Sequence, residues 1–459
     1  MGPESYVLMN EEMTTDQRIH AWYDVAVIGG GVLGCFAARN LMRWQISCVL
    51  LEAEDDVCKG ITRANSAIVY TGYDNKPGSL KARLTVEGNR AFAQLCEDLD
   101  VPFSRCGSLL VTMEPEAVKV LQKKYEMGLQ NGVQGLQLLD RAQALAIEPM
   151  LSEDVVAALY APDTGTVNPW QLGIAACENA VDNGCTLLCN TPVQTIQQVE
   201  DGYLLKTHHQ ILHAKAIVNC AGFFADRIQN QLFAEDVTLT FDGADYLVMD
   251  KEIVMPKHII FHETKNGKGI TAVPCTEGNL LVESKARAMT VPFATTAEGV
   301  RDLKETMGHL LPQVDVRKSI RSFGAVRPNI TTSTGETVPD FYIGNPAPTF
   351  LSFIGVKTPG ITCADGLGHY VAERIATQLQ AEENPAFTPT RKGIGKLPGQ
   401  IICQCEQITR NEVVEAIKRG AVSVDGVKRR VGAGMGRCQG SRCAYAIERL
   451  LEEERNGTL

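Results

Sequence analysis

The run Gly29-Gly30-Gly31-Val32-Leu33-Gly34 stands directly after an apolar segment, Tyr23 to Ile28. It opens an apolar, Ala-rich stretch with helical spacing that reaches about Trp44. A second apolar strand follows from Ser47 to Leu51 and ends on Glu52, 18 residues after Gly34. This is a βαβ opening, and each glycine has a physical task in it. Gly29 permits the tight turn, Gly31 lets the backbone approach a pyrophosphate, and Gly34 lets the helix lie close on its strand. The helix N-terminus offers unpaired N–H groups and partial positive charge to the phosphates. A carboxylate at Glu52 suits both hydroxyls of an adenosine ribose and would repel a 2′-phosphate. The opening predicts a dinucleotide site and leaves open whether the dinucleotide is FAD or NAD. The spaced glycines Gly393-x-Gly395 and Gly432-x-Gly434-x-Gly436 follow no apolar strand and predict no second nucleotide site.

A chain of 459 residues is long for one hydrophobic core, so two or three domains are expected. A net charge of −10 argues against nucleic acid as a partner. No apolar run reaches 18 residues, so no transmembrane segment is predicted. The first 22 residues are acidic and polar and lack the basic-then-apolar order of a secretory signal, so a cytoplasmic setting is expected. In that reducing compartment the 15 cysteines read as free thiols or metal ligands. Eleven, Cys35, Cys48 and Cys177 among them, sit singly in apolar segments and are expected in the core. The other four form two close pairs near the C-terminus, Cys403-Gln-Cys405 and Cys438-Gln-Gly-Ser-Arg-Cys443, with 32 residues between them. Four thiolates so spaced make a tetrahedral soft-ligand site, which suits zinc or an iron–sulfur cluster.

Three further segments resemble the flavin-contacting parts of FAD-dependent oxidoreductases of the D-amino-acid oxidase superfamily. Ala216-Ile-Val-Asn-Cys-Ala-Gly222 with Ala225-Asp226 is similar to that superfamily's second flavin-contact strand. Gly355-Val-Lys-Thr-Pro-Gly-Ile-Thr362 is similar to its last flavin motif, in which a loop and a helix N-terminus face the flavin N1 and C2 carbonyl. Ile61-Thr-Arg-Ala-Asn-Ser-Ala-Ile-Val-Tyr-Thr-Gly-Tyr-Asp74, with Lys76-Pro-Gly-Ser-Leu-Lys-Ala-Arg83, resembles the L-2-hydroxyglutarate oxidase family and the anaerobic glycerol-3-phosphate dehydrogenase large subunits. Gly107-Ser-Leu-Leu-Val-Thr112, Gly267-Lys-Gly269, Gly278-Asn-Leu-Leu281 and Asp340-Phe-Tyr-Ile343 add to this likeness, which spans about residues 23 to 382.

The resemblance implies an α/β fold: a Rossmann-like FAD-binding domain from residues 23–97, 160–235 and 326–383, and an inserted α+β substrate domain from 98–159 and 236–325. It implies FAD contacts from Gly29, Gly31, Gly34, Glu52, Thr62, Asn65, Ser66, Val193, Ala221, Gly222, Gly355, Gly360, Ile361 and Thr362. Around the substrate it points to Tyr70, Tyr246, Arg327 and Lys357. Arg327 matches the carboxylate-binding arginine of amino-acid oxidases, a bidentate and permanently charged grip. Three positions depart from the family pattern. Tyr70 replaces a usual histidine, Asp242 a usual basic residue, and Lys357 a frequent acid. They suggest a substrate other than 2-hydroxyglutarate or glycerol 3-phosphate themselves.

The stretch 384–399 contains Pro385, Pro389, Pro398, Gly393, Gly395 and Gly399 and reads as a linker. Beyond it, residues 400–459 resemble the bacterioferritin-associated-ferredoxin domain, which implies that Cys403, Cys405, Cys438 and Cys443 hold a [2Fe–2S] cluster. Lys428, Arg429, Arg430, Arg437 and Arg442 are expected to offset the cluster's charge, to dock a partner, or to form a solvated basic face. The whole predicts a dehydrogenase of a small carboxylate-bearing hydroxy acid that passes electrons to a partner, an NAD-binding flavoprotein or a quinone-linked subunit that would set any peripheral membrane attachment. Amine or amino-acid oxidation, and a non-catalytic electron-transfer subunit, are the alternatives.

Overall fold

The computed structural model describes residues 20–233, 237–289 and 291–457. Most of the N-terminal segment read above for a signal lies outside them. Two large sheets share the chain between residues 20 and 383. In the first, the strands Thr186–Leu188, Cys48–Leu51, Ala21–Ile28, Ile211–Asn219 and Phe350–Ile354 run parallel in that order. Residues 25–28 of the central strand are apolar and buried because both faces of the sheet are covered there. The helix Val32–Leu41 packs between Pro169–Asp182 and Gly360–Leu379 on one face, burying Phe36 and Leu172 with Val25 and Val27 of the strand.

The second sheet has nine strands and is mostly antiparallel; Ile259–Thr264 beside Ser108–Thr112 is a parallel pair. Its longest pairing joins Val237–Met249 to Ser319–Thr332. That second strand runs through the boundary expected at 325/326, so Arg327 belongs to this sheet and reaches the first domain only across the interface. The register places Tyr246 opposite Phe323 on one side and opposite Glu283 on the other, and places Arg327 opposite Asp242. Side chains two and four residues apart share a face of a strand, so Tyr246, Glu283 and Arg327 collect on one face.

The stretch expected to be a linker is a docked strap. Asn179 Nδ2 donates to the carbonyls of Thr388 and Thr390, at 3.1 Å each, and Gly393 N–H donates to Asp100 Oδ2 at 2.9 Å. Arg391 donates to Glu178 Oε2 at 2.5–2.8 Å. Its prolines and glycines supply bends, while the contacts come from side chains far away in sequence.

The C-terminal module holds three short helices, Arg410–Lys418, Val424–Val431 and Ala444–Arg455, around Val413, Ile447 and Leu450. Thr409 and Glu412 close a capping box at the first helix. The module touches both larger domains. Lys251 of the second sheet's domain pairs with Glu406 at 2.7 Å, and Glu252 pairs with Arg437. Arg429 and Arg430 correct the expectation of a solvated or cluster-facing basic patch: both are buried against Asp56 of the first domain, Arg429 at 2.8 Å and Arg430 at 2.6 Å. Among the described residues no helix is long and apolar enough to cross a membrane.

Candidate active site and cluster site

One cavity of about 910 Å³ lies between the two sheets. Its first end is the glycine turn. Gly29 has φ +101°, and a Cβ there would stand 2.5 Å from the carbonyl oxygen of Cys220. At Gly31 a Cβ would meet only Thr62 Oγ1, at 3.5 Å, so the backbone is open to the cavity. Glu52 lines the same end. Its Oε2 accepts from Gly30 N–H at 2.7 Å and its Oε1 from Glu54 N–H at 2.8 Å, which fixes the carboxylate. Burial pushes its pKa above the ordinary value, partly countered by those two N–H groups. Thr62 Oγ1 accepts from Val32 N–H at 3.0 Å, and Asn65 braces the turn by donating to Thr62 O at 2.6 Å. Ser66, Val193, Ala221 and Gly222 continue the wall, and Gly360 and Ile361 close it from the long helix.

Three residues expected to touch the dinucleotide stand behind the wall. A Cβ on Gly34 would lie 1.9 Å from Gly29 O, so this glycine seats the helix on its strand. Gly355, at φ +65°, turns the chain where a Cβ would lie 2.2 Å from Ile330 Cγ1. Thr362 is buried, and its Oγ1 accepts from the Tyr70 N–H at 3.0 Å. It positions Tyr70.

Tyr70, Tyr246, Arg327 and Lys357 all line the other end. With them stands Glu283, which the sequence reading missed although the motif Gly278-Asn-Leu-Leu281 stops two residues short of it. It is 3 % exposed and contacts Arg327 Nη2 through Oε1. Glu283 therefore holds Arg327 charged. Burial raises the pKa of Tyr70, and of Tyr246 more strongly, with Glu283 adding to both. Both phenols are hydrogen-bond donors near neutral pH. Lys357 Nζ contacts Asn329 Oδ1, and Asn329 Nδ2 donates to Asp242 Oδ2 at 2.7 Å. Partial desolvation at the cavity rim pushes the Lys357 ammonium below its usual pKa; Lys81 and Arg327 add to this and Asp242 opposes it. Just beyond, Lys268 pairs with Asp74 at 3.1 Å, and Asp74 raises its pKa.

The four C-terminal cysteines meet as two pairs. Cys443 lies beside Cys403, and Cys438 beside Cys405, so each pair joins the C-x-C turn to the C-x4-C loop. Among the described residues no three His, Cys, Asp or Glu side chains close to metal-binding distances, and the thiols stand two by two. Burial raises Cys443 to about 12, with Cys403 adding. Burial also opposes ionisation of Cys438, but the N–H of Arg442, the Cys405 thiol and the N–H of Gly440 outweigh it and bring this thiol to about 7. Gly436 leaves room for the turn: a Cβ there would lie 2.3 Å from Cys405 Cβ. A soft donor set paired in this way fits a thiolate-bound iron–sulfur cluster.

The sequence profile of the FAD dependent oxidoreductase family matches residues 24–374. The chain belongs to that family. This oxidoreductase also carries a BFD-like [2Fe-2S] binding domain, matched over residues 401–453. It is 36% identical over 460 residues to a glycerol 3-phosphate dehydrogenase of Caloramator mitchellensis, with 94% of each chain covered. It is 30% identical over 246 residues to the human mitochondrial L-2-hydroxyglutarate dehydrogenase, covering 50% of this chain and 52% of that one. The fold is that of the FAD-bound L-alpha-glycerophosphate oxidase of Mycoplasma pneumoniae, with a TM-score of 0.74 at 24% identity over 82% of this chain and 99% of that one. The protein is thus an FAD-dependent dehydrogenase of the glycerol-3-phosphate and 2-hydroxyglutarate type, and its cofactors are FAD and a [2Fe–2S] cluster.

Proposed function

We propose that the protein oxidises a small anionic hydroxy compound, of the glycerol 3-phosphate or 2-hydroxy-acid class, and works with a partner subunit. One observation carries this reading. One cavity runs from the Gly31 and Glu52 end to Tyr70, Tyr246, Arg327 and Lys357, so a dinucleotide and a small anion can share one continuous space. When bound, FAD supplies the hydride acceptor and the [2Fe–2S] cluster the one-electron outlet. The chain's own groups bind and orient. Gly31 and the helix N-terminus receive the pyrophosphate, and Glu52 the ribose. Tyr70, held by Thr362 at its N–H and by Asn89 Nδ2 at its carbonyl (3.1 Å), donates to the reacting oxygen of the substrate. Tyr246 supports it. Cys403, Cys405, Cys438 and Cys443 hold the cluster.

The single dinucleotide motif supports a separate acceptor, an NAD-binding flavoprotein or a quinone-linked subunit. The pairing of Arg327 with Glu283 favours a second reading, in which the substrate carries an ammonium beside its carboxylate. Anaerobic mixing of the purified holoprotein with glycerol 3-phosphate, L-2-hydroxyglutarate, proline and sarcosine separates the two. Loss of flavin absorbance with one of the hydroxy anions is expected. Loss with the amines alone would overturn the first reading in favour of the second.

A further inference from the structure

We propose that Lys357, and not Arg327, receives the anionic end of the substrate; the proposal rests on the functional reading above for there being such an anion. The two cations face the same cavity but differ in what already holds them. Arg327 is matched by Glu283, a carboxylate 3 % exposed that lies on the same wall. That pair has no net charge. A carboxylate or phosphate that took Arg327 would have to compete with Glu283 for it and would leave that buried carboxylate with only the Tyr246 hydroxyl beside it.

Lys357 has no such match. Its Nζ rests on the amide oxygen of Asn329, a neutral group, and Asn329 is turned that way because its Nδ2 is tied to Asp242 Oδ2 at 2.7 Å. Among the described residues no carboxylate forms an ion pair with Lys357. The amide tether places the ammonium without cancelling it. Lys357 also stands three residues before the N-terminus of the helix Gly360–Leu379, whose partial positive charge adds at the same place. Lys81 is a further cation near it; its own Nζ donates to the Pro339 carbonyl at 3.4 Å and lies within the field of Asp340. Asp242 attracts the ammonium from behind Asn329 without forming an ion pair with it, while Lys81 and Arg327 repel it. An ammonium so oriented, with no carboxylate in contact, is completed by an anion. As a point charge on a flexible stem it takes a phosphate monoester or a carboxylate without the planar match that arginine demands.

The test uses the holoprotein, with inorganic phosphate and malonate as non-oxidisable probes and the flavin absorption spectrum as the reporter of binding. Lys357→Met is expected to raise the half-saturating concentration of one probe by at least about tenfold, equivalent to about 1.4 kcal/mol. Lys357→Arg is expected to stay within about threefold of the wild type, and the probe that Lys357→Met weakens names the anion. Lys357 is exposed at the cavity rim, so neither change should disturb folding. Two results would overturn the proposal: unaltered binding of both probes by Lys357→Met, or no spectral response of the wild type to either. Lys357-dependent probe binding in a protein whose flavin no hydroxy anion bleaches would leave this site standing and defeat the functional reading instead.

Discussion

Arg430 grips Asp56 with both terminal nitrogens, Nη1 to Oδ2 at 2.6 Å and Nη2 to Oδ1 at 3.0 Å, across 374 residues of sequence. Arg429 adds a bond to Oδ2 at 2.8 Å and a contact to the carbonyl of Val57. The Asp56–Val57 segment is also part of the dinucleotide end: Cys58 N–H donates to Gly30 O at 2.8 Å, and a Cβ on Gly30 would meet Val57 Cγ1 at 2.9 Å. The cluster module is thus bolted to the segment that backs the glycine turn.

Breaking one partner of a buried pair leaves the other charge unanswered and costs about 3–5 kcal/mol. Asp56→Asn is therefore expected to release the C-terminal module while the two larger domains stay folded. Limited proteolysis should cut the strap between residues 384 and 399 much faster than in the wild type. Unchanged cutting would show that Asp56 does not hold the module.

The two glycines of the turn should fail in different ways. Gly34→Ala places a methyl 1.9 Å from Gly29 O and is expected to lose folded protein. Gly31→Ala meets only Thr62 Oγ1 at 3.5 Å, so the fold should survive with the pyrophosphate approach filled. FAD affinity of Gly31→Ala should fall by at least about tenfold, measured by fluorescence titration of the apoprotein. Equal FAD affinity would remove Gly31 from the site.

That contrast shows what was legible in the sequence. Gly29, Gly31, Gly34 and Glu52 belong to one contiguous unit whose spacing carries its own geometry. Glu283 was not legible, because only the antiparallel register of its strand with that of Tyr246 brings it to Arg327. Thr362 closes a recognised motif and was expected to touch FAD, yet its task of holding the Tyr70 backbone depends on a helix and a loop 292 residues apart. Proline and glycine content marked residues 384–399 as irregular and said nothing about docking, which Asn179 and Glu178 decide. The basic run Lys428-Arg429-Arg430 gave charge but not direction. Its target, Asp56, is one acid among 54 acidic residues.

Burial and Glu283 raise the pKa of Tyr70 above its ordinary value near 10, so its phenol is protonated throughout about pH 6–9. Tyr70→Phe should slow anaerobic flavin bleaching by about three- to tenfold, the worth of one neutral hydrogen bond, and leave the shape of the pH profile unaltered. Loss of an inflection in that profile would make Tyr70 a base. The sign for stability follows: a raised folded pKa contributes stability below the unfolded value near 10, and that contribution is lost as the pH climbs through the folded one.

Glu283→Gln removes the charge that answers Arg327 and keeps the shape. Half-saturation by malonate should then fall, by about threefold or more, because a second cation becomes available to the anion. A rise would mean that Glu283 orients the binding cation and does not compete with the ligand.

In the function proposed above, substrate oxidation at the flavin and a [2Fe–2S] centre belong to this one chain. Electron paramagnetic resonance of the purified protein, frozen after anaerobic addition of glycerol 3-phosphate, tests it most directly. The signal of a reduced [2Fe–2S] cluster is expected from the wild type and not from Cys405→Ser. A protein that binds zinc at these cysteines and shows no such signal, while its flavin is bleached, would contradict it.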